Sequence, residues 1–157
     1  MKILQKNMGL YLLIVVSAVF LPVHILSGAK KLPLHALILD QTISTQDKLE
    51  RMQDLLSHES ININAQDANK KTALNLATFY NAKPIIIQFF IANKADVNLP
   101  DLFNETPLHN AIRNEELVTA RMLLQAGADK NFKNDTGETP MDLARSPKTI
   151  ALFGLAE

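Results

Sequence analysis

The chain has 157 residues, and its 16 basic and 16 acidic side chains give a formal net charge of zero. Because Lys and Arg are not in excess, the composition argues against a nucleic-acid-binding protein. Cysteine is absent, which excludes disulfide bonds and thiolate metal sites.

Residues 1–29 are predicted to be separate from the rest of the chain, as a signal peptide or a membrane anchor. Two lysines precede an apolar run at 9–21, which has the length of a signal-peptide core. Ser27 and Ala29 are small residues at the positions that a signal peptidase reads. We therefore expect cleavage near Ala29 and export to the periplasm or secretion. The alternative is a single-pass anchor, because residues 8–26 are just long enough to cross a bilayer as a helix.

A six-residue motif recurs through the remainder of the chain. It reads T-A-L-N-L-A at 72–77, T-P-L-H-N-A at 106–111 and T-P-M-D-L-A at 139–144. A period of about 33 residues indicates an array of stacked repeats, and T-P-L-H-x-A is the ankyrin signature. From residue 30 onward the chain resembles the ankyrin-repeat family.

The resemblance implies four units of helix, turn and helix, each with a hairpin-like finger loop. The predicted fold is therefore an all-α ankyrin-repeat solenoid preceded by an N-terminal hydrophobic helix. The first unit has L-P-L-H at 32–35 and about six extra residues near 40–46. An array with imperfect end units could equally be a decaying remnant. The predicted units are a degenerate first repeat at 30–66, a second at 67–100, a third at 101–133 and a shortened fourth at 134–157.

Single residues predict where the helices begin and end. Thr106 suits an N-cap, and Pro107 suits the first helical position, where its missing N–H costs nothing. Pro84 is expected to open the second helix of the second unit in the same way. Gly127 fits the left-handed position that follows a helix. Leu108 and Ala111 lie three residues apart and therefore share one face.

Residues that could carry chemistry are given structural roles. The resemblance implies that His109 and its counterpart His35 hydrogen-bond within and between repeats. The neighbouring acids Glu115 and Glu116 are expected in a solvated turn. Phosphate-binding, dinucleotide-binding and nucleophile-elbow motifs are absent from the sequence. No catalytic residue, cofactor site or metal site is predicted.

The variable residues around the finger tips are the predicted partner-binding residues. In the ankyrin family the fingers and first helices line a concave contact surface. Apolar residues at exposed turns can mark an interaction patch, and aromatic anchors dominate such interfaces. The two phenylalanines of this set have packing against the adjacent finger as an alternative. The candidates are Asn69, Lys71, Leu102, Phe103, Glu105, Asn110, Phe132 and Lys133.

The predicted function is a non-enzymatic module that binds a partner protein through its concave finger and first-helix surface. We expect a bacterial, exported and monomeric protein without a nucleic-acid partner, which meets a membrane only through residues 8–26 if these are not cleaved. The alternatives are a structural accessory of a periplasmic enzyme and an effector that acts on host proteins. The sequence does not identify the partner.

Overall fold

The computed structural model describes residues 32–58 and 61–154. The described residues from Leu34 onward belong to one compact unit. The expected signal peptide or anchor lies outside the described residues, so it stays a prediction. Among the helices of the described part, none is both long and apolar enough to cross a membrane.

The described residues form helices joined by turns, and none of them lies in a β-strand. Successive α-helices are joined by short turns or by longer finger loops, which confirms the predicted all-α repeat fold. The elements are α1 (Pro33–Leu39), α2 (Thr45–His58), α3 (Ala73–Phe79), α4 (Pro84–Ala92), α5 (Pro107–Arg113), α6 (Leu117–Gln125), a 3₁₀ helix (Met141–Leu143) and α7 (Pro147–Gly154).

The helix starts follow from the residues at the motif. Thr106 has an extended backbone and caps α5, and Pro107 is the first helical residue. Thr72 caps α3, where its hydroxyl accepts a 3.1 Å hydrogen bond from the N–H of Asn75. Pro84 opens α4. The predictions for Thr106, Pro107 and Pro84 are confirmed.

Several turns need a residue in the left-handed region of backbone space. Gly127 follows α6 with φ of 90°, as predicted, and Lys94 takes the same place after α4 with φ of 61°. Asn81 and Glu115, each with φ of 56°, occupy the turns between the helices of the second and third units. L-residues other than glycine adopt this conformation at a cost of about 1–2 kcal/mol. The chain therefore carries strain in its short turns.

A single hydrophobic core runs along the stack. α3 packs on α5, α4 packs on α6, and α2 and α7 add to the second-helix layer through α4 and α6. Leu108 and Ala111 are both fully buried, as their shared face predicted. Alanines lie where helices approach closely, because a larger side chain would separate them. The fully buried core side chains include Met52, Leu74, Ile87, Phe90, Leu108, Ile112 and Leu123.

The two end units depart from the middle ones. Helix α2 has 14 residues, whereas α4 and α6 have 9, so the extra residues of the first unit mainly lengthen this helix. In the fourth unit the first helix shrinks to the 3₁₀ turn, and Ala144 is already extended. Pro147 then opens α7, at the first helical position that suits a proline.

Candidate functional site

Each finger is closed by an acidic or amide side chain at its base. The Asp101 carboxylate accepts the N–H groups of Phe103 at 2.9 Å and Glu105 at 3.0 Å, and the Asp101 N–H donates to the Glu105 carbonyl at 3.0 Å. Asp67 and Asn134 make the same bonds to the backbone N–H groups two and four residues further on. These bonds fix the backbone of the finger tips.

Neighbouring fingers are also bonded to each other. The Leu102 N–H donates to the Asn69 carbonyl at 2.9 Å, and the Asp135 N–H donates to the Phe103 carbonyl at 3.1 Å. The Asn104 amide adds a 2.6 Å bond to the Asp135 carboxylate. The three fingers therefore form one continuous, hydrogen-bonded edge.

His109 lies beneath this edge and joins two units. Its Nδ1 accepts the Thr106 N–H at 3.1 Å, so Nε2 carries the proton and donates to the Glu138 carbonyl at 3.2 Å. In the first unit, Nε2 of His35 lies 2.7 Å from the Lys71 carbonyl. Burial lowers the pKa of His109, which keeps the ring neutral. The predicted bonds within and between units are confirmed for His109, whereas His35 makes only the bond to the next unit, because its buried Nδ1 has no partner among the described residues.

Asn75 and Asp142 occupy the same position in the second and fourth units. Asn75 imitates histidine, because its Oδ1 accepts the Thr72 N–H at 2.9 Å and its Nδ2 donates to the Leu99 carbonyl at 3.1 Å. Asp142 accepts the Thr139 N–H at 2.8 Å. A carboxylate has no proton to donate onward, so Asp142 closes its own helix turn without bonding a further unit.

The predicted partner-binding residues fall into three groups. Leu102 and Phe103 project from the third unit's finger and are 49% and 62% exposed. Asn69 and Lys133 are also exposed. Phe132 is half-buried and packs edge to face on His109, with ring centroids 6.4 Å apart. Lys71 and Glu105 are half-buried and Asn110 is buried.

Asn110 does not extend the exposed surface, and that expectation is wrong. Its side chain is only 2% exposed. The reason is that α5 packs between α3 on one side and α6 and the 3₁₀ helix on the other, which buries six of its seven residues. A variable motif position is therefore not always a surface position.

Lys71 and Glu105 are held in ion pairs. The Lys71 ammonium lies 2.6 Å from the buried Asp101 carboxylate and 4.5 Å from the centroid of the Phe79 ring. Glu105 pairs through both carboxylate oxygens with the guanidinium of Arg113. This hydrogen bonding raises the pKa of Arg113. The two pairs position charge next to the fingers and leave little net charge there.

Sequence reasoning missed Phe79, Tyr80 and Arg113 at the ends of the first helices. Phe79 is 47% exposed and Tyr80 55% exposed, and their rings meet edge to face at 5.1 Å. The sequence could have indicated this exposure, because two consecutive aromatic residues at the end of a helix cannot both face the core.

A metal centre is not found in the described part of the chain, where no three His, Asp or Glu side chains are grouped to hold an ion.

A family model described as ankyrin repeats, in three copies, matches residues 39–134 and again 86–148.

The chain belongs to the ankyrin-repeat family.

Similar proteins come from distant sources. The chain is 35% identical over 85 residues to alpha-latrocrustotoxin-Lt1a of Latrodectus tredecimguttatus, which covers 52% of this chain and 6% of the toxin. It is 30% identical over 88 residues to inversin of Homo sapiens, covering 52% of this chain and 8% of inversin. An ankyrin repeat protein of Rickettsia felis is 29% identical over 118 residues, 70% of this chain and 52% of that protein. The chain thus spans about half or less of these relatives.

The ankyrin repeat domain of Bcl-3, a member of the IkappaB protein family, has a similar solved structure. It superposes with a TM-score of 0.68 at 27% identity and covers 77% of this chain and 50% of that domain's chain. Ankyrin repeats generally mediate protein–protein interaction, and their fold is typically a non-enzymatic interaction module.

Proposed function

We propose that this ankyrin-repeat protein binds a partner protein through its finger strip, which we define as Asn69, Leu102, Phe103, Asn104 and Asp135. The proposed role is non-enzymatic. Lys133 and the half-buried Phe132 lie on the same finger as Asp135 and would flank the contact.

The exposure of the Phe103 ring is the observation that carries the proposal. Its side chain is 62% exposed, while its N–H is held by Asp101 and its carbonyl by Asp135. An apolar ring is thus presented to solvent from a backbone that is fixed on both sides. Aromatic residues of this kind are the common energetic anchors of protein interfaces.

The fixed fingers favour affinity without a conformational change. Ordering a loop upon binding costs free energy, which a preorganised surface avoids. Leu102, at 49% exposure, widens the apolar area next to Phe103. The ion pairs of Lys71 with Asp101 and of Glu105 with Arg113 would supply polar contacts at the rim.

The first prediction is that Phe103→Ala weakens capture of the partner by about tenfold or more, the loss typical of an aromatic hot spot. The melting temperature should be unchanged, because the ring is mostly exposed. The matched control is Val118→Ala, which truncates a 58% exposed apolar side chain on α6, outside the strip. Affinity capture with the C-terminally tagged chain and its two variants measures both effects.

A lower melting temperature with undiminished capture in Phe103→Ala would show that Phe103 is a packing residue.

We further propose export of the chain after cleavage near Ala29. Capturing the tagged chain from fractionated cells reports its location together with its partner. Recovery of one enzyme in a fixed ratio from the periplasm would identify the partner class as a periplasmic enzyme.

A further inference from the structure

A small cleft opens between the α1–α2 loop and the turn that joins α3 to α4. Its volume is about 210 Å³, and none of the residues that line it belongs to the finger strip. Its polar lining comes from both elements and comprises Gln41, Thr45 and Lys48 on one side and Tyr80, Asn81 and Lys83 on the other. Two of these side chains are cationic, and none of the residues that line the cleft is acidic.

Lys48 is the unusual member of this set, because it is a buried cation. It is 9% exposed, and its ammonium donates one hydrogen bond, to the Ile38 carbonyl at 3.1 Å. An ammonium group has three N–H donors, and buried charges in proteins are normally paired. No carboxylate of the described residues lies within 4.0 Å of this ammonium. Lys48 therefore has no direct counter-charge among the described residues.

Asp40 lies outside the cleft and interacts with Lys48 through space. Its carboxylate accepts the Thr42 N–H at 2.8 Å and the Thr42 hydroxyl at 2.6 Å. These bonds are the main cause of its lowered pKa, to which Lys48 and Arg51 contribute through space. Asp40 thus softens the positive potential of the cleft without occupying it.

Lys83 adds a second positive feature at the other side of the cleft. It is the N-cap of α4 and makes no capping hydrogen bond with its side chain, and the first turn of α4 has no acidic residue. The positive end of this nine-residue helix is therefore uncompensated. The N-terminus of α2 differs, because Ser44 caps it and Asp47 lies in its first turn.

We propose that this cleft binds a phosphate group, either as free phosphate or as a phosphomonoester. Lysine ammonium groups bind phosphate as point charges, and the dipole of α4 favours an anion near its N-terminus. Backbone donors contribute little there, because Pro84 has no N–H and the Ile86 N–H already donates to the Lys83 carbonyl at 2.9 Å. Bound phosphate would supply the direct counter-charge that Lys48 lacks. The proposal does not depend on partner binding by the finger strip.

The test titrates the full chain with inorganic phosphate and, separately, with O-phosphoserine, at constant ionic strength. We expect saturable amide shifts in the NMR spectrum at Thr45, Lys83 and their neighbours, and a higher melting temperature. Tighter saturation by O-phosphoserine identifies a monoester site, and tighter saturation by inorganic phosphate identifies a free-phosphate site. Shifts that grow without saturation for both compounds would overturn the proposal.

Two variants with a matched control locate the site. Lys83→Met should weaken phosphate binding by about tenfold or more, the effect of losing a charge-assisted bond. Lys148→Met removes the same charge from an exposed position on α7 and should bind as the parent chain does. Equal binding by Lys83→Met and the parent chain would overturn the proposal, and so would equal losses in both variants.

Lys48→Met provides a second measurement that does not rely on affinity alone. Without phosphate its stability should match or exceed that of the parent chain, because removal of an unpaired buried charge relieves its desolvation. Phosphate should then no longer raise its melting temperature. A Lys48→Met protein that phosphate still stabilises would contradict the assignment, and if this variant does not fold, the Lys83→Met result decides alone.

Discussion

One position of the repeated motif decides how neighbouring units are joined. Histidine or asparagine there has both an acceptor, which closes its own helix turn, and a donor, which reaches the next finger, as His109 and Asn75 show. Asp142 keeps the acceptor and lacks the donor. A side-chain donor at this position is therefore what joins a unit to the next one, and the last described unit lacks it.

The buried state of His109 predicts a pH dependence of stability. Its folded pKa is lowered by burial from the ordinary value of 6.5, so below that pH the unfolded chain binds more protons than the folded one. The free energy of unfolding should fall as the pH drops from 6.5 towards the folded pKa. His109→Asn should remove this part of the dependence and change stability at neutral pH by less than about 1 kcal/mol, because asparagine supplies the same two bonds.

Urea denaturation of both proteins over this pH range measures the difference. The lowered pKa values of Asp40, Glu138 and Asp142, caused by hydrogen bonds from threonine neighbours, act only in the carboxylate range at lower pH. The titration of these carboxyl groups therefore does not overlap the pH range in which His109 changes the free energy of unfolding. Identical pH slopes for the parent chain and His109→Asn would show that His109 does not titrate with unfolding.

At the scale of the element, helix starts and helix stops differ in how well the residues suit them. Starts are strongly marked by Thr106, Pro107 and Pro84, which are suited to their positions. Stops are less regular, because Lys94 and Glu115 adopt left-handed backbone that glycine would take without strain. The repeat geometry imposes this conformation whatever residue is present.

We predict that Glu115→Gly and Lys94→Gly each stabilise the protein by about 0.5–1 kcal/mol. Relief of the left-handed strain exceeds the extra entropy that glycine adds to the unfolded chain. Gly127→Ala is the reverse control and should destabilise by a similar amount, through strain and not through a clash, since a Cβ built there meets no atom within 4 Å. Thermal melts of the three variants give the signs, and a loss of stability in both glycine variants would refute the account.

At the scale of the whole molecule, stability depends on how many neighbours each unit has. The units of α3–α4 and α5–α6 are packed from both sides, whereas the 3₁₀ helix and α7 pack on the preceding unit. In a stacked array each unit is stabilised mainly by its nearest neighbours. The middle of the array should therefore resist opening more than its C-terminal end.

Hydrogen exchange should show this gradient. We expect amides of α3, α5 and α6 to exchange through global unfolding, and those of α7 to open at a free energy roughly 2 kcal/mol lower. A decaying remnant would instead show weak protection throughout and no cooperative melt. Native-state exchange measured by NMR distinguishes the two, and uniform strong protection through α7 would contradict the gradient.

The candidate site was partly predictable from the sequence. Exposure of Leu102, Phe103 and Asn69 follows from their place in a finger that is closed by an acidic side chain. Burial of Asn110 was not predicted, and packing of Phe132 was only one of two alternatives that the sequence left open, because both depend on contacts with neighbouring units. Arg113 was missed for the same reason, since its pairing with Glu105 crosses from a helix end to a finger.

The sequence by itself determined the repeat and its helix starts. These depend on interactions within a few residues and on a period that the chain displays openly. Only the tertiary structure decided which variable side chains face solvent and how the two end units deviate. It also decided that Lys48 is buried in the cleft that Lys83 lines, with no direct counter-charge among the described residues. Such features arise where separate units meet, and their distances are set by packing between residues far apart in the chain.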